Sequence, residues 1–322
     1  MSNRFLDLCA AGVRSLKPYV PGKPVAELER ELGISESIKL ASNENPLGPS
    51  PRVEAVLAQH WRDLARYPDG GGFKLRAAIA ARHGLAPECI TLGNGSNDVL
   101  DMVARTFLAP GTESLFAQHA FAVYPISSQA AGARLKVVPA LAYGHDLDAM
   151  AAAVTPDTRV VWVANPNNPT GTWLPGAALR RFAERRLAGL RIGYGLSHPE
   201  VADLLNRVRQ PFNANLLAQE AALVALDDAE HLRQSVEVNR AGLGQLAEGL
   251  AALGLAYIPS VANFLTVDLG RPAGPVDEAL LRRGVIVRPV GGYGLPEHLR
   301  VSVGLPEENA RFLAALEQVL AR

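Results

Sequence analysis

The chain has 322 residues, 48% of them apolar and 20% charged, and its 32 basic side chains balance 32 acidic ones. That length supports a large core in one large domain or two ordinary ones, and the zero formal charge excludes the basic excess of a non-specific nucleic-acid binder. Two cysteines, Cys9 and Cys89, have neither metal-ligand spacing nor a disulfide framework, so no metal is expected and a reducing cytoplasm is.

In chain order, the first 35 residues read as a short helix and then an irregular arm with Pro18, Pro21 and Pro24. They hold no long apolar stretch of the kind a signal peptide needs, and no window nears the 18 apolar residues of a membrane span. The stretch ASNENPLGPSP (41–51) reads as a turn-rich loop, with helices at about 52–65 and 73–83. CITLGNGSN (89–97) reads as a strand breaking into a glycine-rich turn, and 98–108 carries apolar residues at helical spacing. Strands are expected at 114–118, 134–140 and 159–166, with helices at 124–133 and 176–185. This alternation predicts an α/β fold with a mostly parallel central sheet. The last third differs: helices at 199–209 and 216–253, short strands in AYIP, NFLTVDL, VIVRPV and LRVSVG, and a helix at 306–321 predict a smaller α+β domain. The expected organisation is an arm at 1–35, a large domain at 36–225 and a small one at 226–322.

Five features carry candidate chemistry. ANPNNPTG (164–171) ends a buried strand, where α/β sheets bind ligands, although alone it is equally a tight Asn/Pro/Gly turn. GNGSN (93–97) opens a helix whose free N–H groups suit a phosphate, or is simply a helix capped by Ser96 or Asn97. Tyr124 could stack on a flat ring, or pack like any tyrosine. Arg191 in LAGLRIGYG offers a planar fork for phosphate, or an ordinary ion pair. Arg288 in VIVRP and Arg300 in LRVSVG each sit in a short apolar strand and could be anion ligands or structural pairs.

LASNENPLGPSP, RYPD, GNGSN, NPNNPTG, AGLRIGYG and LRVSVG occur in an order that resembles the fold-type I pyridoxal-phosphate aminotransferases, in particular their histidinol-phosphate branch. The resemblance spans nearly the whole chain. It implies that Gly95, Ser96, Asn97 and Arg191 hold the phosphate of pyridoxal 5'-phosphate, that Tyr124 stacks on its ring and that Asn168 bonds its ring oxygen. It further implies that Tyr67 reaches the partner subunit's cofactor in a homodimer, and that Tyr19, Asn43, Arg288 and Arg300 serve the substrate. The implied reaction moves an amino group between L-histidinol phosphate and 2-oxoglutarate. An aromatic amino-acid aminotransferase is the nearest alternative. Neither a nucleic acid nor a membrane is implied as a partner.

The sequence departs from that pattern at one place. The family's Schiff-base lysine lies between the asparagine motif and AGLR, with the aspartate, tyrosine and serine that also serve the cofactor. Here that interval, TWLPGAALRRFAERRLAGLR (172–191), has none of these four residue types. The only lysines are Lys17, Lys23, Lys39, Lys74 and Lys136. A piece of roughly 30 or more residues, one βαβ unit, is expected to be absent between Phe182 and Leu187. Removing interior strands of a buried sheet exposes apolar faces and unpaired backbone, at a cost above the typical ~5–15 kcal/mol of net stability. If that piece is missing from the protein itself, a cofactor-free scaffold becomes a further alternative.

Overall fold

The computed structural model describes residues 5–19, 21–184 and 194–321. Its strands are β1 (Ile38–Lys39), β2 (Ile90–Leu92), β3 (Glu113–Ala117), β4 (Arg134–Val138), β5 (Thr158–Val161), β6 (Tyr194–Leu196), β7 (Ala256–Ile258), β8 (Phe264–Asp268), β9 (Val285–Ile286), β10 (Arg288–Pro289) and β11 (His298–Ser302). β3 pairs in parallel with both β4 and β5. The central strand β3 is covered on both faces and reads as an apolar run, whereas the edge strand β4 leaves Leu135 and Val137 exposed on one face. On one face Phe116 and Trp162 pack with Leu100 and Ala104 of the helix Ser96–Phe107 and with Tyr124 of the helix Val123–Ala130. On the other, Leu115, Ala117 and Val138 meet Met150 and Phe182.

β2 pairs with β6, antiparallel, and packs on the helices Phe73–His83 and Leu216–Leu226. Among the described residues no strand joins β6 to β5. The large unit therefore holds two separate sheet pieces. Between them lies a cavity of about 620 Å³ lined mainly by apolar side chains of β5, β6 and the helices Ser96–Phe107, Gly176–Glu184 and Pro199–Val208.

The C-terminal unit is an antiparallel sheet, β10-β11-β8-β7. Leu265, Val267, Leu299 and Val301 of its strands pack with Leu246, Leu250, Phe312 and Leu316 of the helices Ala229–Ala252 and Pro306–Leu320. The change of partners falls at Asp227–Asp228, where Asp228 caps His231 N–H and starts a new helix. Two expectations need correction. The arm contains a second helix, Val25–Leu32, because Pro24 stands at its N-cap, where a missing N–H is harmless. Residues 38–40 do not run with the large unit: β1 pairs with β9, and Leu40 is buried in the C-terminal core.

Two buried groups give stability opposite pH slopes. His145 shares its Nε2 proton with the Ala164 carbonyl at 2.9 Å, and burial holds its pKa below the usual 6.5. The unfolded chain therefore takes up the proton first, and stability falls as pH drops below 6.5. Burial pushes Asp277 up from the usual 3.8 to about 6, against the pull of Arg288. There the folded state keeps the proton longer, so stability falls as pH rises from 3.8 to about 6. Urea melts of His145→Gln should lose the acid-side fall, and those of Asp277→Asn the fall towards pH 6. Unchanged slopes would show that other groups set them.

Candidate active site

The turn that carries Asn168 leaves the carboxyl end of β5 and is held from several sides. Asn167, 2% exposed, donates to the His119 carbonyl at 3.0 Å and to Thr170 Oγ1 at 2.8 Å. Asn165 donates to Leu174 O and accepts from Leu174 N–H. Thr266 of β8 donates to the Pro169 carbonyl. The peptide bonds Asn165–Pro166 and Asn168–Pro169 are cis. Gly171 sits at φ 78°, and a Cβ there would stand 2.1 Å from Ser260 Oγ and 3.1 Å from Ser260 Cα. Gly171→Ala should destabilise by about 3 kcal/mol, from the left-handed backbone and the clash together. It should also weaken ligand binding by moving Asn168. An unaltered urea midpoint would remove the constraint.

The C-terminal unit brings its charge to this turn. Arg300 is 6% exposed and donates from Nη1 to Asn168 Oδ1 and from Nη2 to the Ala41 carbonyl, both at 2.6 Å. Its guanidinium lies 5.2 Å from the Phe264 ring centroid, and its Nε is buried without a partner. Burial lowers its pKa to about 10, and the nearby Arg288 pushes the same way. Arg288 and Arg300 are register partners across β10 and β11. Cross-strand partners share a face with Cβ atoms ~5 Å apart, and like charges so placed repel. An anion between them turns that repulsion into attraction. Arg288 also stands over the Tyr19 ring at 5.3 Å, and Tyr293, whose pKa burial raises, lies beside both arginines. Asn43, at φ 55°, accepts from Ser302 Oγ at 3.0 Å, and its carbonyl accepts from Asn263 Nδ2. Tyr19, Asn43, Asn168, Arg288 and Arg300 therefore form one connected cluster.

The other expected residues sit apart from this cluster or outside the described ones. The helix Ser96–Phe107 starts after Gly95, at φ 78°, with no side-chain cap on its first N–H groups. Gly95 and Asn97 are exposed there and Ser96 half-buried, which leaves that helix end open to an anion. Tyr67 is 82% exposed and stacked on Phe212 at 4.6 Å. Arg191 lies outside the described residues. Tyr124 requires correction: it is 1% exposed and lies flat on Trp162 at 4.8 Å, so it has no open face for a cofactor ring. Its position on the inner side of the helix Val123–Ala130 buries it. Phe121, half-buried and edge-on to Tyr124, is the less buried of the two rings. The sequence contained that signal in HAFAVY, which offers two aromatic rings. Phe264, Tyr293, Ser302 and Asn263 were not singled out, because only strand pairing brings them here.

An asparagine at the carboxyl edge of a parallel sheet, gripped by a buried arginine from a second unit, defines an α/β enzyme that handles anionic substrates. The family model for aminotransferase class I and II matches residues 35–187 and again 184–316, and the chain belongs to that family. It is 52% identical to histidinol-phosphate aminotransferase 2 of Pseudomonas aeruginosa, over 98% of this chain and 99% of that protein. It is 51% identical, over the full length of both, to the protein of the same name from Pseudomonas fluorescens. The crystal structure of a histidinol-phosphate aminotransferase from Sinorhizobium meliloti, in complex with pyridoxal 5'-phosphate, superposes with a TM-score of 0.88 at 25% identity, covering 97% of each chain.

The alignment to the P. aeruginosa protein runs over 364 positions, against 322 residues here, so at least 42 of them (364 − 322) have no counterpart in this chain. The two family matches meet at 184–187, which puts the shortfall there. Pyridoxal 5'-phosphate is the family's cofactor, and the residues present fit part of it. The open helix end at Gly95 suits its phosphate, and Asn168, whose Oδ1 is held by Arg300, presents its NH2 as a donor for a ring oxygen. They do not fit its covalent anchor. All five lysines precede residue 137, and Lys23, Lys39 and Lys136 pair with Glu31, Glu44 and Glu113.

Proposed function

We propose that this chain serves the transfer of an amino group between L-histidinol phosphate and 2-oxoglutarate in histidine biosynthesis. Turnover then requires a lysine from the stretch in which the chain is short. The observation that carries the reading is the opposed pair Arg288 and Arg300, tied through Arg300 to Asn168. One pair of guanidinium groups can accept a substrate phosphate in one half-reaction and a glutamate carboxylate in the other. When bound, the cofactor supplies an electron sink for the carbon that bears the amine. Arg300 fixes the substrate anion and, through Oδ1, the rotamer of Asn168. The N–H groups from Ser96 onward neutralise a phosphate. None of the paired lysines can hold and return the substrate's α-proton without first giving up its carboxylate.

The protein is read as a cytoplasmic homodimer. Trp61, 57% exposed, Tyr67, 82%, and Phe73, 77%, are large exposed rings within one short stretch of sequence and suit burial against a second copy. No described helix is long and apolar enough to cross a membrane.

The test is turnover with histidinol phosphate against phenylalanine as amino donor. The assayed protein carries the P. aeruginosa relative's extra stretch, spliced in frame at 184–187. Preference for histidinol phosphate by about tenfold or more is expected, because its doubly charged phosphate engages both Arg288 and Arg300, whereas phenylalanine offers the pair a single carboxylate and a neutral side chain. Equal or better use of phenylalanine would turn the reading to an aromatic aminotransferase. Turnover by the unspliced chain at the same rate would show that another amine does the lysine's work.

A further inference from the structure

We propose that the cleft between β5 and β6 is a docking site for a separate polypeptide, an extended apolar two-stranded segment with the chemistry of the stretch this chain lacks. The inference rests on the family assignment and not on the choice of substrate. Both walls of the cleft are strand edges. Trp162 N–H bonds Leu115 O at 2.8 Å and Val161 is the register partner of Leu115, so in a parallel ladder Val161 turns its own N–H and C=O away from β3. Ser197 N–H bonds Cys89 O at 3.0 Å and Leu196 pairs with Ile90, so Leu196 likewise points its backbone groups away from β2. Unpaired edges of this kind are templates for added strands.

The walls also fix the chemistry of the occupant. Val160, Val163, Leu179, Phe182, Val201 and Leu205 line the cleft, and among the described residues the lining has one charged residue, Arg159. A segment with apolar side chains on both faces fits, and a polar one does not. The missing length fits as well. At least 42 residues are enough for two strands of ordinary length and the crossover of a dozen or more that parallel pairing demands. A segment of that length adds the backbone partners that Val161 and Leu196 lack among the described residues.

The experiment mixes the full chain with a synthetic peptide spanning the P. aeruginosa relative's extra stretch, and with a scrambled peptide of equal composition. Titration calorimetry should give one-to-one binding of the matched peptide at least about tenfold tighter than the scrambled one. At a peptide concentration 100 times the Kd, the melting midpoint should rise by about 5–10 °C. Val161→Pro removes the edge donor without touching the β3 ladder, and Val201→Glu charges the wall while leaving both edges intact; each should weaken binding at least about tenfold. The second variant keeps the test open if the first fails to fold. No binding of the matched peptide overturns the proposal, as does peptide-independent dimerisation that Val161→Pro abolishes, since the occupant would then be a second copy. If the spliced chain turns over histidinol phosphate but the free peptide does not bind, docking fails and the reaction stands. If the peptide binds and the spliced chain prefers phenylalanine, the reaction reading fails and docking stands.

Discussion

Arg300→Leu should leave a folded protein that holds 2-oxoglutarate at least about 100-fold more weakly. Hydrogen bonds to a charged group contribute about 1.5–3 kcal/mol each, and a carboxylate takes two from a guanidinium. The fold should tolerate the change for a reason visible around the side chain. Arg300 is buried with its Nε unpartnered and stands opposite Arg288, so removing it relieves an unsatisfied donor and a like-charge contact. These gains offset the lost bonds to Asn168 and Ala41. Calorimetric titration and a urea melt on the same preparation separate the two effects. Retained affinity would assign the anion to Arg288 alone. A collapse in stability would make Arg300 a structural ion partner. Arg300→Lys should not rescue, because an ammonium cannot bridge Asn168, Ala41 and a ligand in one plane.

Splicing the missing stretch in frame at 184–187 should raise stability by more than about 5 kcal/mol. The apolar walls of the cleft and its two strand edges set the scale, since covering apolar surface contributes about 25 cal/mol per Å² and each added backbone hydrogen bond about 1 kcal/mol. The urea midpoint should move up and the slope of the transition should steepen, because two sheet pieces unfold as one. A chimera that melts no higher than the parent would show that the cleft is already closed in solution.

Many large-unit elements were legible because their periodicities are strong and their ends are marked, but the helix Leu147–Ala153 and the strand β6 were missed, being short segments rich in alanine or glycine. The helix 73–83 was placed to the residue by its run of apolar spacing and by Gly84, which takes the left-handed C-cap at φ 63°. NPNNPTG was legible as a turn beyond an apolar strand, and only its place among the other motifs in family order pointed to a site, since the string alone is equally an ordinary Asn/Pro/Gly turn. The break at Asp227–Asp228 was missed inside an apparently continuous helix, although Asp228 as a cap was there to be read. β1 was not legible at all: two residues have no periodicity, and their partner lies far along the chain. Tyr124 shows the limit for a site residue. The sequence says that a ring is present, but which of two rings faces the core is decided by packing against Trp162. The roles of Tyr293, Phe264 and Asn263 arise only when β8, β10 and β11 assemble.

The pairing of β1 with β9 bears on how the molecule is made. Ile38 finds its register partner in Val285, which a ribosome adds 247 residues later. At about 5–20 residues per second, Ile38 waits on the order of 10–50 s for that partner. Leu40 stays outside its core for the same interval, since the residues that bury it come mostly from beyond 245. The large unit can collapse during this time, but the cluster of Asn43, Ser302 and Arg300 cannot close until synthesis is nearly complete. A nascent chain halted before residue 285 would therefore expose an apolar N-terminal strand and have no anion site, a target for chaperones that the finished protein never presents.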